Sequence, residues 1–192
     1  MSYSYKNRNF RDKVLNIENN TRCTLLCKMC KRSTYLRLNK GVPFPGKDLT
    51  VDQFKKVIKY FNKVSFSGQL SDPIFGKHFI ELLEICYENS IGTRVNTAAT
   101  GKSERWYKKA FNANPRAIWT FGIDGMPQDS HKYRVNQKGE FLFEIMLLAK
   151  EMGLKPYWQY IIFPYNKNDI ENAKKWAKLH DIKIVFVISE RR

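Results

Sequence analysis

Downstream of Val14 the chain switches repeatedly between two hydrophobic periods, and that alternation narrows its possible folds more than any other feature. Short β-like runs occupy residues 14–17, 64–67, 92–96, 117–124, 157–163 and 182–188. Between them, apolar residues recur at helical spacing: Phe54, Val57, Ile58 and Phe61, then Phe75, Phe79, Leu82, Leu83 and Cys86, then Trp106, Ala110 and Phe111. Two more helical stripes carry Phe141, Ile145, Leu148, Ala149 and Met152, and Ile170, Ala173, Trp176 and Ala177. Thr50 and Gln53 have the spacing of a capping box, Gly153 stops a helix, and Asn168 stands where the last helix would be capped. Six strands alternating with five helices predict a parallel α/β sheet, in one domain spanning residues 1–192. Sheets of this class bind ligands beyond the carboxyl ends of their strands. Two loops are longer than usual connections, from the cysteines to Thr50 and from Gly125 to Gly139, which marks them as functional candidates.

The loop after the first strand carries Cys23, Cys27 and Cys30 in the spacing C-x3-C-x2-C. Three thiols with no fourth nearby suit a centre that keeps one coordination position open, whereas closed four-ligand sites are usually structural. A zinc site would need a fourth ligand from His78, His131 or His180, and none has zinc-finger spacing. The alternative reading is a non-catalytic zinc- or cluster-bearing module, with nucleic acid as its partner. Cys86 falls on the apolar stripe of its helix and reads as a small core residue.

The charge is strongly basic, with 34 Lys/Arg against 18 Asp/Glu. From Asn19 to Lys47 there is no acidic residue, while Arg22, Lys28, Lys31, Arg32, Arg37, Lys40 and Lys47 are basic. Such a flank offsets the charge of thiolate ligands and favours an anionic substrate, nucleic acid among the candidates. No recognised nucleic-acid-binding motif accompanies it. The N-terminus lacks the apolar core of a secretory leader, and no apolar run is long enough to span a bilayer. The expected setting is the reducing cytoplasm, with no membrane partner.

With the cysteine loop placed after a first strand in an alternating chain, the sequence resembles the radical S-adenosylmethionine (SAM) superfamily. That resemblance implies a partial (β/α)6, TIM-like barrel of parallel strands. It also implies a [4Fe–4S] cluster on Cys23, Cys27 and Cys30, with SAM on the free iron. Reductive cleavage of SAM then yields methionine and a 5′-deoxyadenosyl radical that abstracts hydrogen from substrate, with the electron coming from an external one-electron reductant. The residues Phe66-Ser-Gly68-Gln-Leu-Ser71-Asp72-Pro73 resemble the family's Gly-Gly-Glu-Pro motif, with Asp in place of Glu and Ser71 where glycine is usual. By that resemblance Gly68 and Ser71 offer backbone to SAM and Asp72 accepts from its ammonium group.

Asn96 resembles the start of the Thr-Asn-Gly region. Phe121-Gly122-Ile-Asp124-Gly125 resembles Ser-Ile-Asp-Gly, with Gly122 replacing the serine, and Tyr133-Arg134 follows as in relatives. Asp124 and Arg134 are thereby placed near SAM, Arg134 as a fork for its carboxylate. Trp158-Gln159 and the tail to Asn166 resemble adenosine-contacting loops, although core packing is the simpler role for Trp158 and Tyr160. Met29 holds the position of an aromatic residue that packs near the adenine. The branch resembled is that of SPASM and twitch enzymes, without their cysteine-rich C-terminal region. Activases of glycyl-radical enzymes match the motifs less well. The substrate, a peptide, protein or nucleotide, is then recognised by the chain's own loops, a partner protein or a homo-oligomer.

Overall fold

The structure is a computed structural model describing residues 10–188. The extreme N-terminal segment whose composition argues against a leader lies outside those residues. All six expected strands form: β1 (Val14–Ile17), β2 (Lys63–Ser67), β3 (Gly92–Thr97), β4 (Ile118–Gly122), β5 (Tyr157–Ile162) and β6 (Lys183–Ile188). They pair in parallel, in chain order from β1 to β6. Sequential order has a consequence for layering. Right-handed crossovers that always step to the next strand place every helix on the same side, whereas a doubly wound sheet reverses direction and covers both. The result is an open barrel wall with one covered and one uncovered face.

Strand register shows which residues take each face. Ile17, Phe66, Val95 and Trp119 lie abreast and point to the helices, while Ser67, Asn96 and Thr120 lie abreast on the uncovered side. The helix-facing layer is aromatic: Trp119 meets Phe79 and Phe111 edge-on, with ring centroids 6.2 and 5.0 Å apart. Cys86, Trp158 and Tyr160 are fully buried in it, as their spacing predicts. Trp158 Nε1 donates to the Ile123 carbonyl at 2.8 Å, which satisfies the one polar atom of that ring.

The five expected helices are α2 (Val51–Ile58), α3 (Phe79–Glu88), α4 (Glu104–Ala113), α5 (Gly139–Glu151) and α6 (Ile170–Leu179), and a sixth, α1 (Lys31–Leu38), precedes them. The Thr50–Gln53 capping box is present in both directions. α3 starts later than its apolar stripe suggests. Pro73–Phe75 forms a separate 3-10 turn capped by the Asp72 side chain. Asn168 does not cap α6; it lies inside another 3-10 turn, Lys167–Asp169, that leads into the helix. No helix among the described residues is long and apolar enough to cross a membrane.

Candidate functional site

At the carboxyl ends of the strands a cavity of about 620 Å³ opens on the uncovered face, within the usual size of a small-molecule site. Cys23, Cys27 and Cys30 line it, together with Gly68, Ser71, Asp72, Asn96, Gly122 and Arg134. Met29, Asp124 and Asn166 do not.

The cysteine loop is tied to three other strand-end loops, and these ties fix where its thiols sit. Asn20 Nδ2 donates to the Asp72 carbonyl at 2.9 Å, and the Asp72 N–H donates to the Arg22 carbonyl at 2.9 Å. Thr24 Oγ1 donates to the Thr100 carbonyl at 2.6 Å, and the Leu26 N–H donates to the Val135 carbonyl at 3.0 Å. Leu25 is the buried anchor between the first two cysteines. Burial pushes the Cys23 thiol up to about 12, with the Asp72 charge adding and the Leu25 N–H and Arg32 opposing. Cys27 is also raised by burial, against the charge of Arg134. A metal that displaces such a proton offsets the thiolate charge that burial disfavours. Met29 is outward and half-exposed, so the expected packing against a bound adenine is not built into the loop.

The Asp72 carboxylate is engaged by protein donors on both oxygens. One carboxylate oxygen accepts from Thr97 Oγ1 at 2.8 Å and from the Ile74 N–H at 3.3 Å. The other accepts from the N–H groups of Ala98 and Ala99, both at 2.8 Å. These four donors fill a carboxylate's ordinary capacity, so the side chain binds the loop after β3 instead of offering a free acceptor to an ammonium group. Burial raises its pKa, and the Ala98, Ala99 and Thr97 donors oppose that. Gly68 is needed for a close approach: a Cβ there would collide with the Ser71 backbone carbonyl. The turn between them is held from outside, where Glu18 Oε1 accepts the N–H groups of Gln69 and Leu70.

Asp124 is fully buried and pairs with Arg134 Nε at 2.7 Å, while its other oxygen accepts the Ile161 N–H at 2.9 Å. It therefore stands behind the cavity wall and positions Arg134, which is on it. Burial acts to lower the Arg134 pKa, but the charges of Asp124, Cys27 and Asp72 and the hydrogen bond to Asp124 together raise it. Gly122 leaves the space that this requires, since a Cβ there would lie 2.9 Å from Arg134 Nη2 and 3.2 Å from Ala98 Cβ. Asn166 is likewise internal. Its side chain accepts the Phe163 N–H at 2.7 Å and donates to the Ile161 carbonyl at 2.9 Å, so it closes the end of β5 and has no surface toward the cavity.

Some wall residues escape sequence reasoning. Gln137 Nε2 bridges the carbonyls of Ala98 (2.6 Å) and Gly122 (2.8 Å), joining the loops after β3 and β4. Thr120, Ile161 and Val187 line the cavity through strand parity alone, beside Gln159, which the motif resemblance had already singled out. Arg32, on the buried side of α1, also lines it, and its Nη2 donates to the Leu25 carbonyl.

The donor set fits a cluster with SAM beside it. Three thiols share the wall with two buried polar atoms that have no partner among the described residues, Ser71 Oγ and Arg32 Nε. Orphaned groups of that kind are found where a ligand or water completes the site. Among the described residues no three His, Cys, Asp or Glu side chains gather as a single-ion cage. A four-iron cluster takes one thiolate per iron and has no such requirement. No histidine lines the cavity: His78 faces Glu81, and His180 packs edge-on against Phe143.

A six-stranded parallel barrel wall with three cysteines at the mouth defines a cofactor enzyme of the cluster-bearing partial-barrel class. The Radical SAM superfamily model matches residues 20–177. The chain belongs to the radical SAM superfamily, whose enzymes use a [4Fe–4S] cluster and SAM. It is 27% identical over 168 residues to the pyruvate formate-lyase-activating enzyme of Clostridium pasteurianum, covering 82% of this chain and 65% of that protein. Among solved structures it resembles Streptococcus suis SuiB bound to S-adenosylmethionine (TM-score 0.75, 13% identity, 93% of this chain and 41% of that one). It also resembles anSMEcpe with bound AdoMet (TM-score 0.70, 14% identity, 91% and 50%). The chain thus spans about two thirds of the curated relative and about half or less of these structures.

Proposed function

We propose that this chain cleaves SAM reductively to generate a 5′-deoxyadenosyl radical for hydrogen abstraction from a polypeptide substrate. The observation that carries the reading is convergence: the cysteine loop and the loops after β2, β3 and β4 meet at one cavity wall, tied together by Asn20, Asp72, Thr24 and Gln137. Cys23, Cys27 and Cys30 hold the cluster in this reading. Such a cluster, when bound and reduced by an external one-electron donor, would supply the electron for cleavage of the sulfonium bond of SAM.

The chain's own residues bind and orient SAM. Arg134, held on Asp124, turns its remaining N–H groups toward the SAM carboxylate. The Gly68–Ser71 turn presents backbone to the amino group, and Asp72 keeps that turn in register with the loop after β3. Asn96, Thr120 and Gln159 line the space beyond, where substrate meets the cofactor. A polypeptide substrate is supported by the curated relative, whose name makes it an activator of pyruvate formate-lyase, and by a third fold neighbour, SuiB bound to precursor peptide SuiA (TM-score 0.73, 14% identity, 91% of this chain and 39% of that one).

The test is anaerobic reconstitution with iron and sulfide, followed by SAM and a strong reductant. Formation of 5′-deoxyadenosine, lost in Cys27→Ser together with the brown iron–sulfur absorbance, is the expected result. A colourless protein with stoichiometric zinc, or an intact cluster that never cleaves SAM, is the contrary one.

A further inference from the structure

The six strands contain no aspartate or glutamate. Their uncovered face is identified by the cavity residues Asn96, Gln159 and Val187, so residues an even number of positions earlier share that side. On β3 that is Arg94, on β5 Tyr157, and on β6 Val185 and Lys183. On β2, Ser65 Oγ lies 3.1 Å from Ser67 Oγ, which puts both on one side and Lys63 with them. Arg94 is exposed and has no ion pair or hydrogen bond from its side chain among the described residues. The Lys183 ammonium rests 5.3 Å from the Tyr157 ring centroid. The face below the cavity is therefore cationic and carries no carboxylate from any strand.

We propose that this face receives an extended acidic segment of the substrate polypeptide, the carboxylates of which are bound by Arg94 and Lys183. The inference rests on the polypeptide reading above and narrows it to a substrate class. Charge complementarity is the first argument, because an unpaired arginine on a concave wall lacks its natural fork partner. The second is the company it keeps: Val185 and Val187 are 41% and 37% exposed on the same face and offer apolar contact. A nucleic acid would need open rings for its bases, and Tyr157, the one aromatic residue this face draws from the strands, is capped by Lys183. Arg94 lies two residues before Asn96, and Lys183 four before Val187. At about 3.3 Å per residue Arg94 and Lys183 hold their carboxylates roughly 7 and 13 Å below the cavity. An extended peptide covers those distances in two to four residues, so the acidic residues stand that far from the modified one.

The probe is a fluorescein-labelled peptide of Gly, Ser, Leu and Glu, compared with the same peptide carrying Gln for Glu. A single-stranded oligothymidylate of equal charge is the third arm. Anisotropy is read with the anaerobically reconstituted, SAM-loaded protein at physiological salt. The wild type should prefer the Glu peptide by about tenfold. Arg94→Gln with Lys183→Gln should erase that preference, while Lys55→Gln with Lys56→Gln on α2 should keep it. Should the double variant fold poorly by circular dichroism, Arg94→Glu offers a charge swap that should favour a Lys peptide over the Glu one. Equal loss in the α2 control, no preference in the wild type, or tighter oligothymidylate binding that Arg94→Gln weakens would each overturn the proposal. If the wild type cleaves SAM yet shows no preference, this inference fails alone. If it carries no cluster and cleaves nothing, the function itself fails.

Discussion

Asp72 accepts the hydroxyl of Thr97 at 2.8 Å, joining the loop after β2 to the end of β3. With the Ala98 and Ala99 amides on its second oxygen, the carboxylate acts as a clasp between two cavity walls. Asp72→Asn keeps the shape but turns an NH2 toward donors, which leaves buried amides unsatisfied. The expected loss is about 2–4 kcal/mol of unfolding free energy by urea titration of the apo protein. An Asp72 whose task was to hold the SAM ammonium would instead leave apo stability near wild type and weaken only SAM binding, so the two measurements separate the roles.

Gly122 and Arg134 occupy what is in effect one site. A serine at 122 would place its Cβ 2.9 Å from Arg134 Nη2, so the guanidinium must shift, which strains its contact with Asp124. Gly122→Ser should therefore weaken SAM binding about tenfold by isothermal titration and destabilise the fold, because the buried Asp124 is paired less well. Pairing the serine with Arg134→Lys should cost less than the two effects summed, as expected for residues competing for the same space. Simple additivity would mean that the two do not contend.

Asn166 makes the opposite case. Its side chain spans Phe163 and Ile161 and never reaches the cavity. Asn166→Ala should cost about 2–3 kcal/mol of stability through two lost buried hydrogen bonds. The dissociation constant for SAM of the folded fraction should stay within about twofold of wild type. A tenfold loss of SAM affinity at unchanged thermal stability would return Asn166 to the cofactor.

The strands were legible because a buried parallel sheet needs apolar runs, and the cysteine triad because three thiols at that spacing have few other uses. α1 was not, because the side it buries consists of Arg32 and Ser33, which give no apolar stripe. The strand-end acids were found, but the direction in which each carboxylate points was not legible. Asp72 and Asp124 occupy motif positions, yet a short loop leaves open whether a carboxylate faces the ligand or the amides behind it. Gln137 was invisible for a related reason. A glutamine in a polar loop signals nothing locally, and its partners lie 39 and 15 residues away in sequence.

Cys86 gives a pH dependence separable from the site. Burial in the aromatic core pushes its thiol from 9.0 up to about 11, with a hydrogen bond to Thr93 opposing. The folded value lies above the unfolded one, so the unfolded chain releases its proton first. The thiol's contribution is complete below about pH 9 and is lost as pH rises toward about 11, on the order of 1 kcal/mol by pH 10 and 2 by pH 11. Cys86→Ala removes that slope while leaving a small void that costs about 1 kcal/mol at neutral pH. Urea unfolding of both proteins between about pH 7.5 and 10 should show the wild-type advantage shrinking as pH rises. Tyr107, which burial also pushes up, titrates in both and cancels in the difference. A constant gap across that range would mean that the buried thiol does not disfavour its own ionisation.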